Sequence, residues 1–218
     1  MKMKKLVAAS AVLSALAGFA VPAAHADVAA TVGVSNMYYW RGFDLGGGAA
    51  LSADVNVSGN GFIAGIWTSS GDGTLGTEYD LYAGYSGTAG DFTYGVSLVS
   101  YNYPTLGDDS IAPGDYVELV PTIGYGPFKL TYYDAIAADH APLGDKDYSY
   151  ATAELNFEKF NIKYGQHMDD GDKTTAHLDV TYKYNDKLSF TLGKIIDDND
   201  GAVDDEVNFV VGLTLPIQ

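Results

Sequence analysis

Between Val28 and Leu215, apolar and polar residues take turns in segment after segment, and no other property of the sequence constrains its fold as tightly. The period is two, that of a strand with its two faces in different surroundings. The clearest case is 175–184, where Leu178, Val180, Tyr182 and Tyr184 alternate with His177, Asp179, Thr181 and Lys183. About twelve such segments follow one another: 28–38, 49–57, 62–69, 78–85, 92–101, 116–125, 128–134, 148–157, 160–167, 175–184, 188–196 and 206–215. Tight turns such as Gly59-Asn60-Gly61, Gly126-Pro127 and Asn185-Asp186 join every other pair. Longer, polar and acidic connections near 40–48, 70–76, 104–114, 135–147, 168–174 and 197–205 join the rest. Five short connections and six long ones fit an even-stranded up-and-down barrel with both chain ends on the short-turn side. A soluble sandwich has no reason to segregate its loops in this way. Pro121 cannot donate to a ladder, so a local bulge or irregularity is expected in the sixth segment.

Segments of this length cross a bilayer as tilted strands. The composition agrees: 47% hydrophobic, with 26 glycines, 17 tyrosines and no cysteine. No later run reaches the roughly 18 apolar residues of a helical span. The first 26 residues stand apart. Lys2, Lys4 and Lys5 precede an apolar stretch from Leu6 to Val21, and Ala24-His25-Ala26 is a small-x-small cleavage site. A cleaved secretory signal over 1–26 is expected, leaving one domain, 27–218. Three lysines leave with the signal, so 9 basic residues face 28 acidic ones, a net charge of −19. Such a chain repels nucleic acid and attracts cations. The expected class is all-β: a transmembrane antiparallel β-barrel in the outer membrane of a Gram-negative cell. Its expected partners are lipid, lipopolysaccharide and small hydrophilic solutes or cations, and no cofactor is implied.

A charge facing lipid at the midplane costs up to about 2–4 kcal/mol. Leu155, Leu178, Val180, Phe209 and Val211 therefore suit the outside, and Glu154, Asp179 and Asn208 the lumen. Tracing the strands from a periplasmic start places Glu78, Asp80 and Glu118 toward the outer mouth. Lys129, Lys163 and Lys183 fall toward the periplasmic end. An acidic vestibule above a more basic section is one reading of these charges, and ordinary salt bridging across the lumen is the other. Tyr38, Tyr79, Tyr85, Tyr125, Tyr164 and Tyr184, with Trp40 and Trp67, fit interfacial aromatic girdles.

The stretch Val32-Gly33-Val34-Ser35-Asn36-Met37-Tyr38-Tyr39-Trp40-Arg41-Gly42, continuing to Ala49, resembles the opening of the TorF porin family, the bacterial Gcw_chp family. Gly61-Phe62-Ile63-Ala64-Gly65-Ile66-Trp67 and Glu78-Tyr79-Asp80-Leu81-Tyr82-Ala83-Gly84-Tyr85 carry the same likeness. The resemblance implies a signal-bearing outer-membrane barrel with a porin role, and no catalytic residue comes with it. One departure is the end, Leu215-Pro216-Ile217-Gln218, where such barrels generally finish on an aromatic residue. Either Phe209 and its alternating partners suffice for assembly, or the terminus extends past the strand.

A hydrolase would need a nucleophile, a base and a group to orient it. His140, His167 and His177 are the available bases. His177 and Asp179 share a face and could orient one another, but no nearby serine completes the set. The acidic loop 197–205 does not match a calcium-binding loop, since Ile196 and Val207 would occupy ligand positions. Asp198, Asp200 and Asp204 remain as weak cation candidates. Arg41, the sole arginine, is expected to fold into the lumen and pair with an acid such as Glu78; stacking on the aromatic girdle and contact with lipopolysaccharide phosphate are the alternatives. The function expected is passive diffusion of small hydrophilic solutes through a narrow channel. The alternative is a non-conducting structural or binding barrel acting through its acidic loops.

Overall fold

The computed structural model describes residues 26–46, 48–107, 110–138, 146–199 and 206–217. The expected signal, apart from Ala26, lies outside the described residues, as do His140, Asp200 and Asp204. The strands, in chain order, are β1 (Asp27–Ser35), β2 (Tyr39–Trp40), β3 (Phe43–Asp44), β4 (Ala50–Gly59), β5 (Phe62–Asp72), β6 (Gly76–Ala89) and β7 (Phe92–Asn102). Then come β8 (Tyr116–Tyr125), β9 (Phe128–Ala138), β10 (Tyr148–Asn156), β11 (Phe160–Asp169), β12 (Asp172–Lys183), β13 (Leu188–Asp198) and β14 (Asn208–Ile217). Twelve of them close into one antiparallel barrel, while β2 and β3 pair only with each other. The ring shuts where Ala30–Ser35 of β1 meet Gly212–Ile217 of β14. Closure leaves no strand edge in need of a partner.

The twelve alternating segments are the twelve barrel strands, with changes at their ends. β1 stops at Ser35 rather than reaching Tyr38, because the chain turns inward there. Two connections expected to be long are tight. β5 and β6 continue to Asp72 and from Gly76, and only Asp170 (φ 47°) and Gly171 (φ 80°) separate β11 from β12. Register shifts between Ser69 and Asp72 and between Gln166 and Met168 absorb the irregular residues. Asp- and Gly-rich sequence looks the same whether it forms a loop or caps a long hairpin. Pro121 stays within β8 and pairs with Val96, and the bulge falls instead between Val117 and Glu118. β14 runs through Pro216 to Ile217, so these residues belong to the strand rather than to an extension past it.

The barrel is inside out relative to a water-soluble one. Leu51, Val55, Ile66, Val96, Leu178, Val180, Leu192 and Phe209 are exposed on its outer face. An apolar belt of this extent needs apolar surroundings. Buried polar residues, including Glu78, Asp80, Glu118, Thr131 and Asp179, face inward. Tyr85, Tyr125, Tyr164 and Tyr184 are exposed on the outer face. Phe62 packs on Tyr85, and Phe92 on Tyr125, both at ring separations of 4.8 Å near the short-turn end. Tyr38, Trp40 and Trp67 depart from that assignment: all three line the lumen. Trp67 lies between Asp54 and Asp80 in register, on the polar face of β5, and Tyr38 follows the inward turn of the chain.

Candidate functional site

After Ser35 the chain leaves the wall. Asn36 fastens the departure to β14, donating through Nδ2 to the Phe209 carbonyl (2.9 Å) and accepting from the Val211 amide (2.6 Å). Tyr39-Trp40 and Phe43-Asp44 then form a two-residue-per-strand hairpin inside the lumen. Its turn residues, Arg41 (φ 47°) and Gly42 (φ 95°), both have positive φ, the requirement of a type I′ turn. Positive φ is unfavourable for arginine, so the surroundings must hold it. At Gly42 a Cβ would lie 2.8 Å from Cβ and Cγ of His177.

Arg41 is the centre of what holds the hairpin. Its guanidinium makes a fork-to-fork pair with Glu118 at 2.9 and 2.6 Å, and both side chains are nearly fully buried. Tyr101 also donates to Glu118 (2.8 Å). The guanidinium lies over the rings of Trp40 (4.4 Å), Tyr133 (4.5 Å) and Tyr150 (4.7 Å). It further donates to Tyr148 (3.2 Å). Tyr148 in turn meets Nδ1 of His167 (2.9 Å), whose Nε2 meets the Arg41 carbonyl (2.8 Å). A carbonyl only accepts, so His167 carries its proton on Nε2 and accepts from Tyr148. The path leaves Arg41 through its side chain and returns to its backbone. Such a closed circuit polarises each bond in turn.

A second set fixes the other flank. Tyr39 donates to Asp179 (2.7 Å), and the same carboxylate oxygen meets Nδ1 of His177 (2.9 Å). Nε2 of His177 accepts from Tyr150 (2.7 Å), and the two rings are stacked. The His177–Asp179 pairing expected from the sequence therefore exists, with Tyr150 as its third member. Both imidazole nitrogens are engaged and the ring is fully buried, so the arrangement positions the hairpin. Tyr38 donates to Glu78. Arg41 pairs with Glu118 rather than with the expected Glu78, which takes the Tyr38 hydroxyl. Toward the long-loop end, Tyr101, Tyr103, Ile111 and Tyr116 form an apolar cluster with Ala135, tied by the Tyr103–Ile111 bridge.

The charges forecast for the lumen are distributed unevenly. Glu78, Asp80, Glu118 and Asp179 lie around the hairpin, and Lys163 joins Glu78, Asp80 and Asp179 in lining one cavity of about 490 Å³. A second space of about 310 Å³, lined by Ser35 and Ala50 as well as Thr181 and Thr191, shares Tyr38, Tyr39, Trp67, Lys163 and Asp179 with it. Lys129 is bridged to Glu154 at 3.3 Å, and Lys183 is exposed by the turn after β12. The lower lumen thus mixes salt bridging with unpaired charge. Among the described residues no group of three His, Asp or Glu residues is placed to hold a metal ion. The partners of Arg41 on β7 to β11 could not be found by spacing. The hairpin itself left one signal: an Arg-Gly pair flanked by Tyr-Trp and Phe-Asp.

A family model described as a bacterial protein of unknown function (Gcw_chp) matches residues 19–202. No curated protein matches the sequence. An active-site mutant of outer membrane phospholipase A from Escherichia coli is similar at 8% identity and TM-score 0.44, over 97% of this chain and 98% of that one. An outer membrane channel from Pseudomonas putida F1 is similar at 15% identity and TM-score 0.37, over 86% of this chain and 94% of that one.

Proposed function

The chain belongs to the Gcw_chp family of bacterial proteins of unknown function, and on that premise we propose that it is a narrow, porin-like outer-membrane barrel passing small hydrophilic solutes. The apolar outer belt supports the location, and the signal expected over 1–26 agrees with it. The observation that carries the reading is the polar space left beside the hairpin, about 490 Å³ lined by Glu78, Asp80, Asp179 and Lys163. A barrel with a purely structural role has no need of unfilled polar volume in its interior. The hairpin acts as the constriction. Its fixed bonds narrow the lumen, and the acids around it concentrate cations at the mouth. The porin name of the TorF resemblance agrees with this reading.

The apolar cluster of Tyr101, Tyr103, Ile111 and Tyr116 favours a second reading, a sealed barrel that binds rather than conducts. Planar-bilayer recording separates the two. The refolded protein is expected to show a small, cation-preferring conductance. Replacing 38–45 with a Gly-Ser segment of equal length is expected to raise it severalfold. Silence from both proteins would sink the channel, and anion preference would sink the acidic mouth.

A further inference from the structure

The cavity beside the hairpin holds one unmet acceptor and one unmet donor. Asp80 is 8% exposed, and its Oδ1 is buried without a hydrogen-bond partner. Glu78, two residues earlier on the same face of β6, is 1% exposed and takes the Tyr38 hydroxyl. A buried carboxylate oxygen left unbonded is costly, so the site is built for a donor that the chain does not supply.

Lys163 is the complementary case. Glu154 and Asp179 flank it in register, yet Glu154 is taken by Lys129 and Asn161, and Asp179 by Tyr39 and His177. Among the described residues the Lys163 ammonium has no hydrogen-bond or ion-pair partner. Arg41, the other cation in the cavity wall, is saturated by Glu118 and tyrosines. The space therefore has one free acidic pole and one free basic pole. Trp67, opposite Asp80 in register, supplies an aromatic face beside the acidic pole. A bare metal ion would want three or more converging ligands, which the described residues do not offer. An ammonium group needs only the carboxylate and the ring face.

We infer that this cavity binds a small zwitterion of the amino-acid class, its ammonium at Asp80 and Glu78 and its carboxylate at Lys163. The inference deepens the reading of the lumen as a solute path by naming the solute class. The volume, about 490 Å³, accommodates such a molecule.

Both tryptophans of the chain, Trp40 and Trp67, line the cavity, so their emission reports on it directly. The probe is 5-aminopentanoate, titrated into the refolded full barrel in detergent, with pentylamine and pentanoate as controls. A saturable change is expected for the zwitterion, with either control at least tenfold weaker. Lys163→Gln, at a half-buried position in the lumen, is expected to bring the zwitterion down to the level of pentylamine. Asp80→Asn is expected to bring it down to the level of pentanoate. Absence of saturation, or parity between the zwitterion and either control in the wild-type barrel, would overturn the inference. Binding in detergent requires no conduction, so a silent bilayer with a saturating titration removes only the channel.

Discussion

Arg41 joins a backbone geometry that arginine does not favour to a side chain whose four terminal N–H donors are all in use. Removing it leaves Glu118 buried with the Tyr101 hydroxyl but no cation to pair with. Breaking one side of a buried pair of this kind costs about 3–5 kcal/mol. Arg41→Ala is therefore expected to lower the urea midpoint of the refolded barrel, and adding Glu118→Gln to recover part of the loss. Arg41→Lys should recover little, because an ammonium cannot form the two-pronged pair or lie flat on Trp40 and Tyr133. Equal stability of Arg41→Ala and wild type would show that the pair does not hold the hairpin.

Among the elements, the closing seam and the hairpin differ in how far the sequence reveals them. Val32 and Leu215 are register partners across β1 and β14 and both point outward. Directly opposed residues on antiparallel strands have Cα atoms roughly 4.5–5.5 Å apart, within the reach of a disulfide. The chain has no cysteine, so Val32→Cys with Leu215→Cys is expected to give a cross-link within one molecule, seen as a reducible mobility shift on electrophoresis. A cross-link between molecules only would mean that the seam is open. All twelve wall strands were legible, because a two-residue period repeats over 9 to 14 residues in each. β2 and β3 are two residues long and leave too little pattern to count. Their aromatics read as a girdle because tyrosine and tryptophan suit an interfacial rim and a packed polar interior alike. Lys129–Glu154 was foreseeable as lumenal charge, but the pairing of Arg41 with Glu118 spans 77 residues and rests on the barrel being closed.

For the molecule as a whole, the sorting of faces has an optical signature. Both tryptophans lie inside, with the wall between them and any acyl chain. In vesicles of brominated lipid their fluorescence is expected to be quenched weakly, whereas a rim placement would give strong quenching. The inward hairpin also sets an order of events. Tyr39 must find Asp179, 140 positions along the chain, and the Arg41 carbonyl must find His167, 126 positions along. Contacts this distant form late, after the intervening loops have closed. A nascent barrel that has laid down β4 to β10 already offers Glu118 and Tyr148 to Arg41, but the anchors His167 and Asp179 belong to strands not yet added. The hairpin thereby registers completion: its last two anchors close when β11 and β12 are in place, and an assembly stalled short of them is expected to be cleaved by protease at residues 38–45 more readily than the finished barrel.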